Sequence, residues 1–370
     1  MKTIFAELYN INDTIFGKIS KKKNYILKIS KISKINYSIV YIANQKNNIS
    51  KTQPTIIVEN ISIFNSGDII QVEPSGMITF LFEIESDSNL IFVTNKCNCN
   101  CIMCPQLQEY VYDDYYIRNK QIISLIDSKT KYLAFTGGEP TLKKNDFLSL
   151  LKLCKKMLKN TRIEILTNGI LLDDINYVKE IILLNHPHLS FHIPLYSDIS
   201  KIHNHIVGTD CFFSTINGMY NLAKFKQNIE LRVVIHKQNY DRLPQLAEFI
   251  YRNLPFVNQI ALMGMEYQGN AIKNISDLWI DPYDYKEILT ETVILLNQRA
   301  MQVSIFNHQL CIIDTQIWNY ARKSISSWKN FYLNQCNKCI QKDFCGGFFI
   351  TSHNHYSKHI NPIINLEQIK

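Results

Sequence analysis

The sequence predicts an α/β protein built on an incomplete barrel of six βα units, a partial (βα)6 TIM-like barrel. Three observations carry this reading. From Asn89 onward, short apolar runs alternate with longer stretches of helical, amphipathic period, the pattern of parallel βαβ units. Residues 1–88 are strand-rich, with no cysteine and no histidine. From about Met301 the βα period stops and an irregular, cysteine-rich stretch follows. The implied organisation is a β-rich module over 1–88, a barrel over 89–300 and a cysteine-bearing region over 301–370.

In the first stretch, Ile, Tyr, Val and Phe alternate with polar residues, and Gly67-Asp68 and Pro74-Ser75-Gly76 read as turns. Strands of the barrel are expected at 90–93, 132–136, 162–167, 189–195, 229–235 and 259–265. Helices are expected at 118–128, 146–158, 175–184, 213–225, 243–252 and 282–298. The last of these carries Asp281 as a candidate N-cap and Pro282 at the first helical position. Residues 303–306 and 310–313 predict a small hairpin around Asn307-His308-Gln309. Active groups of such a barrel belong just after its strands, at their C-terminal ends.

Composition removes several classes. The chain has 370 residues, 46% of them apolar and 19% charged, so it can bury a large core and is not a disordered chain. The longest unbroken apolar run is short, 39–43, so no membrane span is expected. The N-terminus lacks an apolar signal core, which predicts a cytoplasmic protein with reduced thiols. Net charge is +8. One basic cluster, Lys18, Lys21, Lys22, Lys23, Lys28, Lys31 and Lys34, alternates with Ile and Ser and reads as a solvated strand face. A nucleic-acid patch is the competing reading, but no nucleic-acid-binding signature accompanies the charge and no such partner is expected.

Cysteines carry the chemistry. Cys97, Cys99, Cys101 and Cys104 fall in one loop directly after the first barrel strand and contain a Cys-x3-Cys-x2-Cys spacing. Three thiolates can each bind one iron of a [4Fe–4S] cube and leave a fourth iron open. Four thiolates including Cys99 could close a zinc site instead. After the second strand stands Thr136-Gly137-Gly138-Glu139-Pro140-Thr141, whose glycines allow a sharp turn and close approach to a ligand.

Together these residues resemble the radical S-adenosylmethionine (AdoMet, or SAM) superfamily. The resemblance implies that Cys97, Cys101 and Cys104 ligate a [4Fe–4S] cluster, with AdoMet on the open iron and Gly137, Gly138, Glu139 and Pro140 at its amino group. It implies weaker roles in AdoMet binding for Thr167, Asn168, Ser197 and Arg232, which end later strands or lie in them. Met103 stands where many members carry an aromatic residue, and its thioether could cover the adenine. A low-potential electron donor such as flavodoxin or ferredoxin is implied as well. The residues identify no catalytic acid or base.

In the tail, Cys336-x2-Cys339-x5-Cys345 resembles the auxiliary-cluster signature of the SPASM and twitch groups, with Cys311 as the natural fourth ligand. One auxiliary [4Fe–4S] cluster is expected; a four-cysteine zinc site is the alternative. Cys154 and Cys211 are expected to be ordinary buried thiols. Longer strings, among them 260–266, 281–285, 307–311 and 345–349, resemble the C-type radical SAM maturases of the His-Xaa-Ser system. That implies a ribosomally made precursor peptide as substrate, a second radical SAM maturase as partner, and residues 1–88 as a docking element. Radical chemistry on a small molecule in cofactor biosynthesis, and a non-enzymatic metal-binding module, are the competing readings. His353, His355 and His359 are expected on an exposed, mobile terminus, with metal binding by the first two as the sharper option.

Overall fold

The computed structural model describes residues 2–22, 26–31, 39–44, 54–106, 115–352 and 355–365. The chain divides into two compact units: Met1–Thr94 with Asp113–Glu164 and Leu183–Leu189, and Asn95–Tyr112 with Ile165–Ile182 and Ser190–Lys370. Among the described residues no helix is long and apolar enough to cross a membrane.

The first unit opens with eight strands: β1 (Thr3–Phe5), β2 (Glu7–Tyr9), β3 (Ile15–Lys22), β4 (Ile26–Lys31), β5 (Ile39–Ala43), β6 (Thr55–Ile57), β7 (Ile69–Val72) and β8 (Met77–Phe82). They form one sheet in the order β1-β8-β7-β3-β4-β5-β6-β2, antiparallel except where β5 runs beside β6. Alternation explains the sheet, since Ile15 and Ile19 of β3 are buried with Ile42, Ile56, Ile70 and Ile78. Lys18, on the same strand, donates to the Leu125 carbonyl at 2.9 Å, so it serves as a local tie. Lys23 and Lys34 of the basic cluster lie outside the described residues.

The same unit carries the first parallel pair, β9 (Leu90–Phe92) and β10 (Tyr132–Thr136), with Phe92 opposite Thr136. The connection holds α1 (Tyr116–Leu125), and α2 (Lys144–Met157) follows β10. On α2 the buried residues Phe147, Leu150, Leu151 and Cys154 recur at helical spacing. Phe147 meets Phe135 of β10 edge to face at 5.9 Å. β11 (Arg162–Leu166) is divided between the units, and α3 (Ile175–Leu183) follows it.

In the second unit β12 (Leu189–Pro194), β13 (Asn228–Ile235), β14 (Gln259–Gly264), β15 (Val303–Phe306) and β16 (Ala321–Arg322) pair in parallel in that order. Between them run α4 (Ser200–Val207), α5 (Phe212–Lys224), α6 (Leu243–Asn253), α7 (Asn270–Lys273), α8 (Ile275–Leu278) and α9 (Lys286–Gln298). A last pair, β17 (Asn330–Phe331) and β18 (Phe348–Phe349), is antiparallel. The predicted alternation of parallel strands and helices is therefore present in both units.

Three expectations are corrected. Helix α4 is absent from the sequence reading; its eight residues offer only Ile202, Ile206 and Val207 as apolar signal. The helix expected from Pro282 begins at Lys286, because the Asp281 carboxylate accepts the Tyr283 N–H at 2.9 Å and makes a separate turn. The hairpin at Asn307 does not form. Val303–Phe306 pairs with β14 and β16, and the Ile312 N–H bonds the Gln309 carbonyl at 3.0 Å to make a turn where the second strand was expected.

Candidate functional site

The cysteine loop lies in the second unit, and its backbone is clamped from two helices. Asn100 and Ile102 donate their N–H groups to the carbonyls of Val207 and Ile206, at 2.9 and 3.0 Å, at the end of α4. From α7, the Asn270 N–H reaches the Cys104 carbonyl at 2.8 Å and its side chain reaches that of Cys101 at 3.1 Å. Asn274 holds the Ile102 carbonyl at 2.8 Å. Gly208 is required for this approach: its φ is +67°, and a Cβ there would stand 2.6 Å from the Asn100 oxygen. The loop is thus held at fixed geometry through its backbone.

Those thiols divide into two kinds. Cys97, Cys101 and Cys104 are partly exposed, whereas Cys99 is buried. Burial, with Cys101 and Cys97 nearby, pushes the Cys104 thiol up to about 11. Cys99 turns inward and its thiol is held well above the usual range by contacts with Cys101, Cys211 and Cys97. Asn168 donates its side-chain amide to the Cys99 sulfur at 3.4 Å. The Cys211 thiol is lowered to about 5, first by its bond with Cys99 and also by His203, whose Nε2 lies 3.9 Å away. His203 Nδ1 accepts the Tyr196 N–H at 3.3 Å, which leaves the proton on the nitrogen facing Cys211. Cys211 is buried, as expected, and packs in one cluster with Cys99. Sequence carried no sign of that contact, because 112 residues separate the two. Cys154 is fully buried inside α2, as expected. Met103 is buried beside Cys99, Ile206 and Met265, and its thioether serves as packing.

The Gly-Gly turn lies in the first unit. Gly138 donates its N–H to the Thr94 carbonyl at 2.7 Å, and Val93 donates to the Thr136 carbonyl at 2.8 Å. Glu139 is buried, and one carboxylate oxygen accepts both the backbone N–H and the hydroxyl of Thr141, at 3.0 and 2.6 Å. Pro140 follows as the first residue of a short 3-10 turn. The glutamate thus caps that turn, a structural duty that the motif alone does not show.

The later candidates are all engaged with their neighbours. The Thr167 hydroxyl accepts the Gly169 N–H at 3.1 Å. Asn168 bonds the Asn98 side chain at 2.7 Å in addition to Cys99. Ser197 is buried, accepts the Ile199 N–H at 3.1 Å and donates to Asp198 at 3.3 Å. Arg232 is held by Glu230 at 2.8 Å and by His192 Nδ1 at 2.6 Å, so its guanidinium enters any ligand contact already paired.

In the tail, the structure brings the four candidate cysteines together. Cys311, Cys336, Cys339 and Cys345 line one cavity, walled by Phe348 and Pro362. Burial, then Cys345, Cys336 and Cys339 across the cavity, push the Cys311 thiol up to about 11. Gln309 fastens this segment to the next by donating to the Gly347 carbonyl at 2.7 Å. Among the described residues, no three His, Cys, Asp or Glu side chains converge as they do around a single ion. A [4Fe–4S] cube instead binds each thiolate to a separate iron. The three-thiol loop and the four-thiol cavity have the donor sets for one open and one closed cube.

Of the terminal histidines, His355 is partly buried, whereas His359 is exposed, as expected. His355 lies against the rings of Tyr267 and Trp279, and His359 stacks on Tyr283 at 3.8 Å. His353 lies outside the described residues.

Comparison with known proteins is consistent with this geometry. Residues 91–250 match the model of the radical SAM superfamily. A probable GTP 3′,8-cyclase of Saccharolobus islandicus (strain Y.N.15.51 / Yellowstone #2) is 28% identical over 185 residues, covering 48% of this chain and 57% of that protein. The chain thus spans little more than half the length of that relative. A 7,8-dihydro-6-hydroxymethylpterin dimethyltransferase of Methanocaldococcus jannaschii is 34% identical over 97 residues, 25% of this chain and 19% of that protein. Among solved structures, anSMEcpe with bound AdoMet and the Kp18Cys peptide aligns with a TM-score of 0.51 at 15% identity, over 76% of this chain and 94% of that one. That likeness is one of fold. Residues 91–250 are thus similar to the radical SAM superfamily, and the curated relatives are named as enzymes.

Proposed function

We propose that the chain is a radical AdoMet enzyme. Cys97, Cys101 and Cys104 would hold a [4Fe–4S] cluster with one iron open to AdoMet, and Cys311, Cys336, Cys339 and Cys345 a second, closed cluster. The observation that carries the reading is the loop itself: three part-exposed thiols on a clamped backbone, with the fourth turned into the core. When bound, cluster and AdoMet together supply a 5′-deoxyadenosyl radical that abstracts a substrate hydrogen.

The chain's own residues position and shield. Asn270, Asn274 and the end of α4 fix the loop so that its sulfurs keep their places. Met103, Ile206 and Met265 pack beneath it with Cys99 and keep water from that side.

For the substrate, the names of the curated relatives support a small molecule: one is a GTP cyclase, the other a pterin methyltransferase. A His-Xaa-Ser peptide is the second reading, supported by the strings at 260–266, 281–285, 307–311 and 345–349, with the N-terminal sheet as its docking element. Metal analysis of the anaerobically reconstituted chain tests the cluster assignment. About eight irons per chain are expected, by four per cube; two zincs without iron would overturn it.

A further inference from the structure

We propose that His355 is a positioning residue for the cysteine loop. Its ring holds the segment between Tyr267 and Trp279, and that segment holds the backbone of Cys101 and Cys104. The inference rests on the reading of the loop as a cluster site.

The segment after β14 has two sides, and one of them faces the loop. Asn270 makes two bonds to it, from its N–H to the Cys104 carbonyl at 2.8 Å and from its side chain to the Cys101 carbonyl at 3.1 Å. Asn274, one helical turn on, donates to the Ile102 carbonyl at 2.8 Å. The approach is close enough to require glycine at the preceding position. Gly269 has a φ of +60°, and a Cβ there would stand 2.6 Å from the Cys104 oxygen. Ala271 and Leu278 are buried in one cluster with Cys99 and Met103, and Tyr267 packs against that cluster.

The other side faces the tail. The His355 ring lies 5.8 Å from that of Tyr267 and 5.9 Å from that of Trp279. Those two rings meet each other at 5.5 Å, so the three form one closed set. Farther along the tail, the Lys358 N–H donates to Asp281 at 3.2 Å and His359 stacks on Tyr283 at 3.8 Å. Residues 355–359 thus run as a strap beside residues 279–283. His355 Nδ1 is buried with no hydrogen-bond partner, which leaves the ring contacts as its tie to the segment.

The helices of the segment, α7 and α8, have four residues each. Helices so short are not stable by themselves, so packing sets their place. Tyr267 and Trp279 bracket both helices, and His355 packs on both brackets. Without its ring, Tyr267 and Trp279 relax into the space left behind. Asn270 and Asn274 carry that shift to the loop, since coupling travels through packed side chains and hydrogen bonds.

Two measurements on the full-length chain test this. Hydrogen exchange is followed by mass spectrometry on the cluster-free chain, where the N–H groups of Asn100, Ile102 and Cys104 are the hydrogen-bonded reporters. AdoMet affinity is read by calorimetric titration of the reconstituted chain. His355→Ala should speed exchange of the loop about tenfold and weaken AdoMet binding about tenfold. His355→Phe keeps a ring against Tyr267 and Trp279 and should restore both values. The double variant His355→Ala/Asn270→Ala should lose less affinity than the two single losses together. Unchanged exchange and affinity in His355→Ala overturn the proposal, as do fully additive losses. So does His355→Phe if it is as damaging as His355→Ala. Amides of α2, in the first unit, should exchange as in the unaltered chain; equal acceleration there would mark a general loss of stability and also overturn it. The exchange measurement needs neither cluster nor AdoMet. Unchanged loop exchange beside intact 5′-deoxyadenosine formation removes this assignment and keeps the radical reading. Faster loop exchange in His355→Ala, when the unaltered chain forms no 5′-deoxyadenosine, does the reverse.

Discussion

The Thr94 carbonyl accepts the Gly138 N–H at 2.7 Å, which pins the Gly-Gly turn to the residue that leads into the cysteine loop. The bond depends on Gly137. Its φ is +156°, and a Cβ there would lie 2.5 Å from the same Thr94 oxygen. Gly137→Ala must move one of the two segments. It is expected to destabilise the chain by about 2 kcal/mol and to weaken AdoMet binding, read by urea unfolding and by calorimetric titration. Wild-type values for both would show that the turn tolerates a side chain.

Cys99 and Cys101 are predicted to behave oppositely. Cys99 faces Asn168 and Cys211 within the core, so Cys99→Ala should retain the iron of the loop cluster. Cys101→Ala should lose it. Iron content and the electron paramagnetic resonance signal of the reduced protein decide the matter, and the reverse pattern would mean that the ligands are misassigned.

The tail cluster is expected to be independent of the loop cluster in metal content. Cys345→Ala breaks the four-thiol cavity and should lower the iron count from about eight to about four. A full count after that change would place the second cluster on other residues.

Acid should destabilise the chain through two buried histidines. Burial lowers His236 and His308 to about 4 each, against 6.5 for the ordinary side chain. As pH falls below 6.5 the unfolded chain takes up these protons first, so the folded state loses stability until about pH 4. Between pH 6.5 and 5 the loss is about 2 kcal/mol per histidine. Urea midpoints at the two pH values check this, and the double variant His236→Gln/His308→Gln should show a flatter profile. Equal midpoints in the unaltered chain would contradict it.

Local pattern explains what the sequence could reveal. Phe147, Leu150, Leu151 and Cys154 recur at helical spacing within one segment, so α2 was visible without any partner. Tyr132–Thr136 was visible as a strand for the same reason. Cys97, Cys101 and Cys104 lie within one loop, so their nearness was legible, while the spacing left an iron cube and a zinc site both open. Contacts across long separations were not visible. The strand at Val303–Phe306 finds its neighbours in β14 and β16, and the expected hairpin partner became a turn. Cys211 reaches Cys99 only because α4 and α5 bring it there. His355 looked like a terminal histidine, yet it lies against Tyr267 and Trp279, which are 88 and 76 residues earlier in the chain.

The central claim is that the clamped cysteine loop supports reductive cleavage of AdoMet. The direct measurement is chromatographic detection of 5′-deoxyadenosine from the anaerobically reconstituted chain with AdoMet and a strong reductant. The account predicts its time-dependent formation by the unaltered chain and its loss in Cys101→Ala. No 5′-deoxyadenosine from a chain carrying its full iron would contradict the account.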